Sequence, residues 1–196
     1  MKLIVLNGPP NCGKDTTADW FSDNLGWHKF KMAFSLKLGA HALLGDSLNI
    51  MKYEGPSKEE PQADLLGEVP REWYIYLAEE VLKPRFGHDV FGRIAVNRLR
   101  ANPPEESCGG VVISDCGFHE ELLPLVKEFG GVNVFVILMQ RQGCNFNSDS
   151  RGYLSPLALK DWGCHVSGIH CAENAVKANC ENILGLLKSE GFFNGT

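Results

Sequence analysis

The chain of 196 residues predicts a three-layer α/β/α domain built on a roughly five-stranded parallel sheet. Three observations lead there. Short continuous apolar runs read as strands buried on both faces, segments with helical periodicity alternate with them, and a glycine-rich turn joins the first strand to the first helix. Residues 2–7 open with Leu3-Ile4-Val5-Leu6 before Gly8-Pro9-Pro10 punctuates the chain. Residues 15–25 follow with Ala18, Trp20, Phe21 and Leu25 at helical spacing, and Gly26 is placed to end the helix. Residues 28–32 alternate apolar with polar as a short strand does, and 33–44 read as a helix ending at Gly45. Residues 49–70, with Pro56, Pro61 and Pro70 and a Lys-Glu-Glu run, predict a mobile surface insertion. Pro70 suits a first helical turn, so 71–83 is expected as a helix that Pro84 stops, with a second at 89–100. Strands are expected at 111–114 and 132–138 around a helix at 120–129, then a polar loop at 140–156, a short fifth strand at 164–169 and a closing helix at 172–188. Alternation of this kind implies right-handed crossovers.

Composition narrows the function classes. Hydrophobic residues make up 44% and charged residues 22%, which fits one soluble domain with a real core and excludes collagenous, coiled-coil or disordered chains. Apolar runs fall far short of the roughly 20 residues a membrane span needs, so no membrane partner and a cytoplasmic location are expected. Nineteen Lys and Arg against 24 Asp and Glu give a formal charge of −5, a balance that disfavours coating of nucleic acid but admits a small anionic ligand. The seven cysteines form no C-x-x-C pair and the six histidines no metal spacing, so free thiols are expected.

The chemistry is concentrated in Gly8-Pro9-Pro10-Asn11-Cys12-Gly13-Lys14-Asp15-Thr16, a G-x-x-x-x-G-K phosphate-binding loop between strand and helix. Such loops aim backbone N–H groups and a helix N-terminus at phosphates, with the lysine on the β- and γ-phosphates. Gly8, Asn11, Cys12, Gly13, Lys14, Asp15, Thr16 and Thr17 are the candidate ATP-binding residues. Asp15 stands where Ser or Thr ordinarily binds Mg²⁺; a carboxylate is a hard ligand suited to that ion or to the helix dipole. Asp115, at the end of an apolar strand, is a second candidate for metal or substrate, or a cap of the following turn. Cys12 is expected to have a lowered pKa at the helix start and to confer sensitivity to thiol reagents.

The Gly-Lys-Asp-Thr form of the loop, followed by Thr17-Ala18-Asp19, resembles the bacteriophage deoxynucleoside monophosphate kinases, which have a P-loop NTPase fold of the nucleoside monophosphate kinase kind. Further likeness lies in Lys29-Phe-Lys-Met-Ala33-Phe-Ser-Leu-Lys37, Val69-Pro-Arg71-Glu, Phe86-Gly-His-Asp-Val-Phe-Gly92, Ile113-Ser-Asp-Cys-Gly-Phe-His-Glu120 and Arg141-Gln-Gly143. One departure stands out: the family carries Arg two residues after the strand-end Asp, and here that residue is Gly117. The resemblance implies a core of residues 1–48 and 108–196, a helical acceptor-binding insertion at about 49–107 and a lid at about 140–156. It also implies ATP and Mg²⁺ as cofactors and transfer of the γ-phosphoryl to a deoxynucleoside monophosphate.

In that reaction positioning and cations do most of the work. Lys14, Arg141, Arg151 and Asp115 are the expected catalytic residues, Asp15 and Asp115 the metal carboxylates, and Lys37, Arg71 and Arg85 the acceptor-phosphate grips, because guanidinium forks suit that anion. Trp73, Tyr74 and Tyr76 either stack on a base or pack in the core. The expected partner is a small-molecule nucleotide, and the chain a monomer or homodimer, in the host cytoplasm if it is of phage origin. Two alternatives remain open: a kinase of the same fold that phosphorylates 5-hydroxymethyluracil in DNA, with Asp115 as general base, and a non-catalytic ATP-binding regulatory module.

Overall fold

The structure, a computed structural model, describes residues 1–45, 50–147, 149 and 151–193. Five parallel strands, β1 (Leu3–Asn7), β2 (His28–Phe30), β3 (Val111–Ile113), β4 (Val134–Gln140) and β5 (His165–His170), form one sheet in the order β2-β3-β1-β4-β5. β1 is central, with Val5 in register with Ile113 on one side and Val136 on the other. Strand alternation sends Leu3 and Val5 into one core with residues of α5 (Val90–Ala101) and α6 (His119–Phe129). Ile4 and Leu6 enter the other, with α1 (Lys14–Leu25) and α8 (Val176–Ser189). Both faces are therefore covered, which is why the strands read as unbroken apolar runs. This is the α/β P-loop NTPase fold.

The remaining helices are α2 (Phe34–Leu43), α3 (Pro70–Tyr76), α4 (Lys83–Phe86) and α7 (Pro156–Asp161), the last not anticipated from the sequence. Gly26 ends α1 in the left-handed conformation, as its position predicts.

Two expectations are corrected. Pro84 does not stop the helix that begins at Pro70: the chain widens into a π-helical stretch, Leu77–Leu82, and continues through α4 to Gly87. Proline cannot donate to the carbonyl four residues back and its ring crowds that carbonyl; the wider turn, in which Lys83 N–H reaches Ala78 O, accommodates it. The 49–70 segment, of which Asn49 lies outside the described residues, is not a loosely held surface strip over 50–70. It folds into 3₁₀ turns at Ile50–Tyr53, Gly55–Glu59 and Ala63–Leu65, and both Tyr53 and Leu65 are 0% exposed. Tyr53 stacks on His41 of α2 at 4.5 Å between ring centroids, so the insertion is anchored by its own buried side chains.

At the C-terminal edge of β1 sits the buried amide of Asn7. Its Oδ1 accepts from Leu154 N–H at 3.0 Å, and its Nδ2 donates to Gly152 O at 3.2 Å and Cys116 O at 3.5 Å. One side chain thus ties the segment after β3 and the segment after β4 to the central strand. Asn7→Ala leaves these groups unpaired in a dry site and is expected to destabilise the fold by about 2–3 kcal/mol. Urea unfolding should show a lowered midpoint with an unchanged slope, and amide exchange at Leu154 should accelerate.

Candidate functional site

In a parallel sheet the segments after β1, β2, β3 and β4 emerge on one edge, where ligands of open α/β sheets bind. The phosphate loop turns there through Asn11 at φ 62° and Gly13 at φ 101°, which frees α1 to start at Lys14. Gly8 is packed where a Cβ would lie 2.5 Å from Met139 O and 2.8 Å from Cys12 Sγ. The first N–H groups of α1 have no partner within the helix by its geometry. Lys14 Nζ lies across the loop, donating to Gly8 O and Pro9 O at 2.6 Å each. Burial lowers its pKa, the adjacent Cys12 opposes that, and Arg151 adds to it. The cradle, its glycines and its lysine fit a polyphosphate. Thr16 is exposed at the rim, whereas Thr17 is buried beside Cys180 of α8.

Cys12 departs from expectation. It is 1% exposed beneath the loop, and burial raises its thiol pKa despite Lys14. The helix dipole does not offset that desolvation, so reaction with thiol reagents is expected to be slow. All seven cysteines are free.

Asp15 accepts from Ser114 Oγ at 2.6 Å and pairs with Lys31 at 3.2 Å. Burial pushes its carboxyl up, but Ser114, Lys31 and Lys29 outweigh this and leave it below the ordinary range. With 60% of its side chain exposed, the carboxylate can also face a cation outside the protein. Among the described residues no group of three or more His, Cys, Asp or Glu forms a cage, and Mg²⁺ on a nucleotide needs only one or two carboxylates beside the phosphates. Asp15 fits that demand. Asp115 is employed otherwise: its two oxygens accept from Met32 N–H at 2.9 Å and Ala33 N–H at 3.0 Å, capping the entry to α2.

Beside the loop opens a cleft of about 230 Å³. Its cations are Lys37, Lys58, Arg71, Lys83 and Arg151, its acids Glu79, Asp115, Glu121 and Asp149, and Met32, Leu36, Tyr74, Ile75, Phe91 and Phe118 give it apolar walls. Arg151 joins the cleft to the phosphate loop: it donates from Nε to Asp149 Oδ1 at 2.8 Å, and both it and Asp149 act electrostatically on Lys14. That bond with Asp149 is the main reason the Arg151 pKa is raised and that of Asp149 lowered. A Cβ on Gly117 would lie 2.3 Å from Arg151 Cδ, so glycine there is what lets the arginine stem pass. Arg141 brackets the loop, donating to Asn11 O at 3.2 Å and pairing with Glu173 at 2.7 Å.

The structure therefore gathers Lys14, Asp15, Asp115, Arg151, Lys37 and Arg71 around one edge and leaves Arg85 exposed on α4, outside the cleft. Of the three aromatics, Tyr74 lines the cleft, while Trp73 donates to Ala40 O and stacks on Tyr76. Sequence reasoning missed Ser114, Lys31, Asp149, Lys58 and Glu121. Glu121 had a readable signal: it falls on the face of α6 that buries Leu122, Leu125 and Val126, where an acid is out of place.

Burial pushes the Glu121 pKa up to about 7; Gly117 N–H and Lys83 oppose this and Asp115 reinforces it. An acid whose folded pKa exceeds its unfolded value stabilises the fold relatively at low pH and loses that contribution as pH rises from the unfolded pKa through the folded one. Glu121→Gln should thus match the wild type near pH 4 and become more stable by about 2–3 kcal/mol above pH 7, as read from urea midpoints across that range.

No protein-family model matches the chain, and no curated protein does. Solved structures similar to it include shikimate kinase from Acinetobacter baumannii in complex with shikimate, at 13% identity over 98% of this chain and 96% of that one, TM-score 0.48. Dephospho-CoA kinase from Campylobacter jejuni matches at 12% over 97% and 98%, TM-score 0.45. Shikimate kinase from Aquifex aeolicus matches at 14% over 96% and 98%, TM-score 0.44. These likenesses are distant, and the fold assignment rests on the chain's own strand order and phosphate loop.

Proposed function

We propose that the protein is an ATP-dependent kinase that transfers a phosphoryl group to the phosphate of a deoxynucleoside monophosphate. The observation that carries this reading is the continuity from Lys14 through Arg151 to a cation-lined cleft large enough for a small molecule. When bound, ATP supplies the phosphoryl group and Mg²⁺ neutralises charge across its terminal phosphates. Lys14 and the loop N–H groups orient the donor, and Asp15, held by Ser114 and Lys31, offers the metal-side carboxylate. Arg151, fixed by Asp149 and seated on Gly117, sets a guanidinium where donor and acceptor meet. Lys37 and Arg71 face the acceptor anion from the cleft wall. Asp115 acts through Lys37 by capping α2, the helix that carries it. Arg141 steadies the loop from the outside, and Arg85 has no part in this reading.

A kinase acting on a hydroxyl of DNA is less favoured, because the carboxylate it would use as base, Asp115, already accepts from two backbone N–H groups.

The test is ADP release over all deoxynucleoside monophosphates and over 5-hydroxymethyluracil DNA. Turnover with a free monophosphate is expected, and Lys14→Ala should lower it on the order of 10²–10³-fold without loss of fold. Label transferred to DNA alone would sink the monophosphate reading, and ATP binding without any transfer would leave a regulatory module. Gly117→Ala forces Arg151 from its seat, and a loss on the order of 10–100-fold in kcat is expected with little change in melting temperature.

A further inference from the structure

The cleft is unusual in which of its charges have partners. Lys37 pairs with Glu54, Arg71 with Glu59 at 2.6 Å, Lys83 with Glu79 at 2.5 Å and Arg151 with Asp149. Asp115 is satisfied by two N–H groups. Among the described residues two charged cleft groups stand outside this scheme. Lys58 has no carboxylate within ion-pair distance, although Lys37 and Arg71 lie close enough to lower its pKa after burial has done so. Glu121 is 8% exposed, and its one hydrogen bond is a long one, 3.5 Å from Gly117 N–H.

Different charged groups act on the two. The groups acting on Lys58 are Lys37, Arg71, Glu54 and Glu59, whereas those acting on Glu121 are Gly117, Lys83, Asp115 and Arg151. The same cleft has apolar and aromatic wall residues, with Tyr74, Ile75, Phe91 and Phe118. A buried carboxyl with one weak bond is costly unless something else satisfies it. The backbone that carries Glu121 is held close to α5, where a Cβ on Gly92 would lie 2.2 Å from Glu121 O. Lys83, the nearest cation on α4, is taken by Glu79 and lies over the Phe118 ring.

We propose that Glu121 is the acceptor-selecting residue of the cleft, taking a hydrogen bond from an N–H or O–H donor of a ligand whose anionic group lies against Lys37, Lys58 and Arg71. The acceptor class this defines is bipolar: a phosphomonoester at one end, a hydrogen-bond donor at the other and a flat or apolar body between, as in a mononucleotide whose base carries an N–H. Carboxyls of this kind select strongly, because a ligand without the donor leaves the buried group unpaired. The inference rests on reading the cleft as the acceptor site, yet it concerns binding and is separable from phosphoryl transfer.

The experiment is calorimetric titration of the full chain without ATP. The probes are thymidine 5′-monophosphate and deoxyinosine 5′-monophosphate, their ring-N-methylated counterparts, whose bases lack an N–H donor, and inorganic phosphate. Wild-type protein is expected to prefer at least one donor-bearing monophosphate over its methylated form by about tenfold or more. In Glu121→Leu that preference should collapse to within a factor of about three, while affinity for inorganic phosphate is retained. Lys58→Ala should weaken all phosphate-bearing probes together.

Glu121→Gln, close in shape, guards against misfolding of the leucine variant. It should abolish any rise in affinity between pH 6 and 8 that tracks a Glu121 carboxylate faced by Lys83, Asp115, Cys116 and Arg151. Equal discrimination in wild type and both variants overturns the proposal. So does a loss confined to turnover with binding unchanged, which would make Glu121 a proton acceptor instead. If the probes bind as expected and no ADP is ever released, the kinase reading fails and the selecting role of Glu121 stands.

Discussion

The cleft depends first on the buried amide of Asn7. Parallel strands bring their following segments to one edge, but that alone leaves those segments free to splay. Asn7 is the last residue of the central strand, and it satisfies backbone groups of both the 116–117 turn and the 152–154 stretch. Gly117 lies on the first of these and Arg151 directly precedes the second. Their contact therefore follows from a single side chain at the end of β1, a strand that is itself clamped on both sides by β3 and β4.

On this frame the electrostatics are arranged by pairing. A protein of formal charge −5 holds a cation-lined cleft because its Lys and Arg side chains are oriented by specific carboxylates, not because the surface as a whole is basic. Each such pair holds a long side chain in one geometry before a ligand arrives and so reduces the ordering cost of binding. Asp149 does this for Arg151, and Asp115 does it one step removed by fixing the backbone that starts α2.

How much of this was legible depended on how local its cause is. The phosphate loop and the buried strands were readable because a contiguous run of residues determines them: Leu3–Leu6 and Val134–Met139 are apolar throughout, and Gly13 must turn where it does. The 49–70 stretch was misread because proline and glycine content reports breaks in regular structure, while the burial of Tyr53 depends on His41 in another element. Pro84 misled because its rule holds for a regular α-helix, and the π-helical stretch upstream relaxes that geometry. Asp115 shows the same limit within the site, since its partners, Met32 and Ala33, are some eighty residues away. Glu121 alone among the missed groups was visible locally, as an acid on an apolar helical face.

Gly117 gives the departure from the resembling family a physical form. A side chain at that position and the stem of Arg151 cannot share the same space, since even a Cβ would meet Arg151 Cδ at 2.3 Å. A guanidinium can reach this part of the cleft from the strand end or from the segment after β4, but not from both. In this chain it comes from the segment after β4, together with Asp149, whose carboxylate also acts on Lys14. Arg151 is thereby coupled to Lys14 of the phosphate loop through one short acidic link. Displacing Asp149 and Arg151 must then alter the cleft and the surroundings of Lys14 at once, whereas an arginine rooted at the strand end would lack that acidic link.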